Sequence, residues 1–100
     1  MYFIYMIRCE DNSIYTGITT DLERRTDEHL TKSDKCAKYT LLHTAKKLEV
    51  AWRTTDRKLA SKLEYRIKGL SKEKKEALIS DEKVFKKLFS ILECEKYTRV

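Results

Sequence analysis

The run Tyr2-Phe3-Ile4-Tyr5-Met6-Ile7 constrains the fold more than any other stretch of this chain. Its β-branched and aromatic side chains favour a strand, and both alternating faces are apolar. Such a strand is covered on both sides, so it belongs inside a sheet and not at a wet edge. Cys9-Glu10-Asp11-Asn12-Ser13 then supplies turn formers, with Asn12 suited to a positive φ. Ile14-Tyr15-Thr16-Gly17-Ile18 reads as the returning strand of a hairpin.

The loop length decides which side chains share a face. An odd loop such as Asp11-Asn12-Ser13 puts Tyr5 and Tyr15 on the same face as near neighbours. A two-residue Asp11-Asn12 turn puts them on opposite faces, because one step of register flips every side chain. The odd loop is favoured. Gly17 lies two residues after Tyr15 on that face. A glycine inside a strand marks either a close approach by a ligand or backbone, or simple close packing by the next helix.

Thr20-Asp21-Leu22-Glu23 is a capping-box pattern that opens a helix over about 20–31, with Leu22, Thr26, His29 and Leu30 as its inward stripe. Arg25 and His29 stand one turn apart on one helix face. Either they converge on one anion, or Arg25 pairs with a carboxylate and His29 is a partly buried spacer. Residues 31–46 read as a connection with a short helix, where Lys32, Lys35, Lys38 and Tyr39 form a basic, aromatic-bearing segment. Leu48, Val50 and Trp52 share a face of a third strand over 48–53. Thr54-Thr55-Asp56 supplies an N-cap for a helix over 57–68, whose stripe is Leu59, Ala60, Leu63 and Ile67, followed by Leu70. Glu64 borders that stripe, as a boundary ion-pair residue or as a functional carboxylate facing a cleft. Gly69 is suited to end this helix, and further helices are expected over 72–79, capped by Ser71, and over 82–92, with Val84, Phe85, Leu88, Phe89 and Leu92 buried.

The resulting fold class is α+β: a three-stranded antiparallel sheet (2–8, 14–18, 48–53) flanked by helices. With 100 residues, no proline and two glycines, the chain suits one domain over 1–92 with a frayed tail over 93–100. No apolar run reaches the length of a membrane span, and no secretory pattern opens the chain. Three widely spaced cysteines, Cys9, Cys36 and Cys94, form no C-x-x-C pair and fit a reducing cytoplasm as small half-buried hydrophobes. The first fifty residues balance eight basic against eight acidic groups, while the second fifty carry fourteen against eight and hence the whole charge of +6. That asymmetry suits a polyanionic partner, although solvated helix faces also account for many of these charges.

These residues together resemble the GIY-YIG nuclease superfamily, in its small, single-domain bacterial branch. Phe3-Ile4-Tyr5 stands for the first triplet of the signature and Tyr15-Thr16-Gly17 for the second. Arg25 and His29 have the helical spacing, and Glu64 matches the metal-binding glutamate. Phe3 departs from the leading glycine and Thr16 from the isoleucine of the second triplet. The resemblance spans about residues 2–80 and implies metal-dependent phosphodiester hydrolysis, most naturally of DNA. On that reading Glu64 holds Mg²⁺ or Mn²⁺, Arg25 binds a non-bridging oxygen, Tyr15 orients or activates water, and Tyr5 and His29 position the network. Gly17 shapes the site, while Arg24, Lys35 and Lys38 are candidates for nucleic-acid contact. A monomer is expected, with an activating or targeting protein as a further partner. The competing readings are a non-catalytic nucleic-acid-binding module and a protein-interaction adaptor docking through residues 82–92.

Overall fold

A computed structural model describes all residues except 33–34, which fall within the connection expected over 31–46. The elements in chain order are β1 (Tyr2–Cys9), β2 (Ile14–Thr19), α1 (Leu22–Leu30), α2 (Lys38–Leu42), β3 (Ala45–Thr54), α3 (Arg57–Lys68), α4 (Lys72–Ser80), α5 (Val84–Leu88), a 3-10 turn at Cys94–Lys96, and β4 (Thr98–Arg99). The sheet order is β2-β1-β3-β4, antiparallel throughout. It has four strands and not the expected three.

The doubly apolar β1 is an inner strand, as its pattern requires. Ile4 and Met6 pack on one side with Ile14, Val50, Trp52 and the α3 residues Ala60, Leu63 and Ile67. Tyr5 and Ile7 pack on the other with Ala45, Ala51, Tyr15 and Leu22. The sheet therefore separates an aliphatic core under α3 from a smaller layer in which the two hairpin tyrosines lie.

The hairpin has an odd loop, one residue earlier than the expected triplet. Glu10, Asp11 and Asn12 form it, closed by Cys9 N–H donating to the Ser13 carbonyl at 2.9 Å. Asn12 takes φ 70°, the left-handed position of a three-residue hairpin. Parity is unchanged: Tyr5 pairs with Gly17 and Ile7 with Tyr15, so both tyrosines face the same way. Arg8 secures this hairpin by donating to Glu49 at 2.9 Å and to both oxygens of Glu76 at 2.5 Å, linking β1, β3 and α4.

Several boundaries differ from expectation for local reasons. Asp21, not Thr20, caps α1, its carboxylate accepting from Arg24 N–H at 3.1 Å. Leu30 at the end of that helix is 41% exposed, outside the expected inward stripe. Pairing between β1 and β3 jumps from Met6–Val50 to Ile7–Leu48, leaving Glu49 as the extra residue of a bulge. Leu48 consequently packs in the tyrosine layer, away from Val50 and Trp52. Gly69 ends α3 with φ −81°, so no left-handed cap is used.

The C-terminal part departs most. The helix expected over 82–92 stops at Leu88, and Phe85 and Phe89 anchor it in the core. The chain then turns back. Tyr97 is buried and its hydroxyl donates to the Leu59 carbonyl at 2.6 Å, while Arg99 donates to the Leu78 and Ile79 carbonyls. Residues 98–99 pair with Trp52 and Arg53, so the segment expected to fray supplies the fourth strand. All three cysteines are free, Cys9 buried and the other two half-buried. Among the described residues no helix is long and apolar enough to cross a membrane.

Candidate active site

The hairpin register brings Tyr5 and Tyr15 together, and α1, following directly from β2, lays His29 beside both. Ring centroids are 6.2 Å apart for Tyr5–Tyr15, 5.6 Å for Tyr5–His29 and 5.2 Å for Tyr15–His29. The Tyr5 hydroxyl lies 2.9 Å from His29 Nε2, and Thr40 Oγ1 of α2 lies 2.6 Å from His29 Nδ1. Tyr5 is 1% exposed, and His29 and Thr40 are fully buried.

The direction of these bonds follows from proton counting. Thr40 has one hydroxyl proton, and it points to the Ala37 carbonyl at 3.1 Å. Thr40 must therefore accept from His29 Nδ1–H. Burial pushes the His29 pKa down to about 4, the nearby Arg25 charge adds to this, and Glu28 opposes it. The ring is thus neutral at pH 7, and its remaining nitrogen, Nε2, accepts the Tyr5 proton. The chain runs Tyr5 O–H to His29, His29 N–H to Thr40, and Thr40 O–H to the backbone.

Tyr5 is held as a phenol. Burial raises its pKa, the adjacent Tyr15 raises it further, and Arg25 works the other way. With its proton given to His29, the Tyr5 oxygen is left to accept from the Arg25 guanidinium beside it. Arg25 also donates to Glu28 at 2.9 Å and to the Lys35 carbonyl at 2.5 Å. The structure thus combines features of both sequence readings: Arg25 pairs with a carboxylate, and His29 is a buried neutral positioning group. It does not present two cations to one anion.

Gly17 is explained by the opposing ring. A Cβ built at this position would lie 2.5 Å from the Tyr5 hydroxyl oxygen and 2.7 Å from its ring carbon. Tyr5 itself, more than a neighbouring helix, demands the missing side chain. Gly17→Ala should therefore destabilise the fold by about 1–3 kcal/mol, as overpacking does. It should also turn Tyr5 away from His29; chemical denaturation measures the first effect, and the His29 ring resonances in NMR report the second.

Tyr15 is half-buried and begins an aromatic ladder that sequence reasoning did not assemble. Its ring stacks on Tyr39 at 5.6 Å, and Tyr39 stacks on His43 at 4.3 Å. His43 Nδ1 lies 2.5 Å from Asp11 Oδ2, which ties α2 to the hairpin tip. Tyr39 had a sequence signal in its basic, aromatic segment. Thr40 and His43 had none, because their roles arise from tertiary contacts.

The remaining predicted residues are more dispersed. Arg24 is exposed and pairs with Asp21 at 3.5 Å and Glu28 at 3.0 Å. Lys35, just before α2, and Lys38, its first residue, are both exposed. Glu64 lies on α3, beside the buried stripe that packs on the sheet face opposite Tyr5 and Ile7; its side chain is 22% exposed and paired to Lys68 at 3.3 Å. Among the described residues no three His, Cys, Asp or Glu side chains form a metal cluster. A single carboxylate without thiolate or imidazole company fits the mode of Mg²⁺ or Mn²⁺, which take one or two carboxylates and complete their shell with water and phosphate oxygens. The basic second half is concentrated in part on α3, where Lys58, Lys62 and Arg66 recur every fourth residue and are exposed.

Comparison with known proteins agrees with this arrangement. Residues 1–77 match the family model described as the GIY-YIG catalytic domain. The chain is 45% identical over 94 residues to the UPF0213 protein YhbQ of Escherichia coli O157:H7, covering 92% of this chain and 90% of that one. It is 48% identical over 79 residues to the UPF0213 protein FN1575 of Fusobacterium nucleatum, covering 79% and 77%. The solution NMR structure of the UPF0213 protein BH0048 from Bacillus halodurans matches with a TM-score of 0.52 and 38% identity, over 80% of this chain and 84% of that one. The tyrosine pair, the helical arginine and the family match coincide in one stretch, and the chain belongs to the GIY-YIG family.

Proposed function

We propose that this protein is a divalent-metal-dependent endonuclease that hydrolyses phosphodiester bonds in DNA. The observation that carries the reading is Arg25 held beside a tyrosine pair, with Tyr5 sealed and Tyr15 half-buried. An arginine fork matches a non-bridging phosphate oxygen, and fixing it against Tyr5 and Glu28 lowers the entropy lost on binding. Tyr15 is the more accessible of the two phenols, so it is the one to orient the attacking water and accept its hydrogen bond. Tyr5 and His29 act behind it as positioning residues. Glu64 would hold the metal ion, which supplies charge stabilisation on the phosphate and the leaving oxygen.

The test is cleavage of plasmid, single-stranded and branched DNA with Mg²⁺ or Mn²⁺, beside EDTA controls. Cutting that needs the metal and falls by about a hundredfold or more in Tyr15→Phe supports the reading, since general acid–base groups contribute about 10²–10⁴. Undiminished cutting by Tyr15→Phe overturns the role given to that hydroxyl. The Glu64–Lys68 ion pair favours a second reading, a non-catalytic nucleic-acid-binding module. Salt-sensitive DNA binding without cutting under any metal condition selects it.

A further inference from the structure

An open groove of about 370 Å³ runs between the end of β2, the first turns of α1 and the start of α3. Tyr2, Thr19, Arg24, Arg25, Glu28 and Arg57 line it. Arg57 was not singled out by the sequence, where it is one cation among many in the basic half. In the fold it stands opposite Arg24 and Arg25, exposed and with no carboxylate partner among the described residues. Three guanidiniums therefore face the groove against one carboxylate. Glu28 bridges Arg24 and Arg25 at 3.0 and 2.9 Å, which fixes both side chains and leaves Arg57 as the uncommitted charge.

Arg57 and Glu64 are seven residues apart on α3 and so share one flank of that helix, separated by about 10 Å along its axis. The groove thus opens between α1 at Arg24 and Arg25, the end of β2 and the first turn of α3 at Arg57, and Glu64 stands two turns further along that same helix.

We infer that this groove is a binding site for the phosphodiester backbone of the nucleic-acid substrate. Arg57 grips a phosphate of the same strand beside the one bound at Arg25, since both arginines line the one groove. The inference rests on the nuclease reading and deepens it: it adds to Arg25 a second phosphate contact, from the start of the helix that carries Glu64. An arginine fork suits a phosphate oxygen pair, and the open form of the groove suits a continuous backbone better than an enclosed small molecule.

The experiment measures binding of a fluorescein-labelled 20-base-pair DNA duplex as a function of salt, in EDTA and in the Glu64→Ala background so that no cutting intervenes. Arg57→Ala, Arg57→Lys and Arg25→Ala are compared with the parent, and thermal melting checks that each is folded. Arg57→Ala is expected to bind about tenfold more weakly, the usual loss for one hydrogen bond to a charged group. It should lower the slope of log K against log salt by about 0.9, and Arg57→Lys should restore most of that slope. If Arg57→Ala keeps the parental slope while Arg25→Ala loses one contact, the groove assignment is overturned and the nuclease reading stands. If the parent shows no salt-dependent binding at all, both fall.

Discussion

Glu64→Ala is expected to abolish metal-dependent cutting while leaving the fold nearly unchanged. The two halves of that expectation come from different observations. Glu64 is partly exposed, and its partner is Lys68 one turn along the same helix. Such a pair contributes about 0.3–0.5 kcal/mol, and alanine is the best helix former, so stability should move by less than about 0.5 kcal/mol. The catalytic loss should be complete, because no cluster of other carboxylates, imidazoles or thiols stands ready among the described residues to hold the ion instead. Cleavage rates at saturating Mn²⁺, beside a thermal melt, check both. A folded Glu64→Ala protein that still cuts in Mn²⁺ and stops in EDTA would place the metal elsewhere.

The second large effect concerns pH and stability. His29 titrates at about 4 in the folded protein, against its ordinary value near 6.5. Between those values the unfolded chain takes up a proton that the folded chain refuses, so stability is full above about pH 6.5 and falls as the pH drops toward 4. The displacement corresponds to about 3 kcal/mol, a large share of what holds a domain of this size together. Asp11, Glu28 and Glu76, all held below the ordinary carboxylate range by hydrogen-bonded partners, lose their contributions only at still lower pH. The interval between 6.5 and 4.5 therefore reports His29. Urea denaturation across it should show a steep decline for the native protein and a nearly flat profile for His29→Gln. Parallel profiles would remove His29 from the role of buried neutral acceptor.

Side-chain alternation made the hairpin legible. Tyr5 and Tyr15 were bound to share a face once the loop was odd, and the shift of that loop by one residue changed their partners without changing the face. The i,i+4 spacing likewise placed His29 and Arg25 on one side of α1. The start of α3 was written in Thr54-Thr55-Asp56, of which Asp56 is the cap, and its course in the Ala60, Leu63, Ile67 stripe. What stayed hidden depends on contacts between distant segments. Nothing local distinguishes Thr40 from any other threonine, yet the tautomer of His29 hangs on it. Arg57 becomes special only because the start of α3 comes to lie across from α1. The bulge at Glu49 moved Leu48 to the other face, since a period-two pattern carries no warning of an inserted residue. The two-residue β4 falls in the polar stretch Glu93-Cys94-Glu95-Lys96-Tyr97-Thr98-Arg99, where only Tyr97 hints at burial.

That short fourth strand also bears on how the open edge of the sheet is guarded. It shields β3 only at Trp52 and Arg53, with one more bond from Val100 N–H to the Ala51 carbonyl. Earlier in β3 the outer edge takes no strand partner among the described residues, and an open edge is a template on which another chain can pair. The exposed side chains there are Lys46 and Lys47. Two adjacent ammonium groups make stacking of one copy on the next unfavourable, so the tail and the lysine pair divide between them the protection of a single strand against self-association.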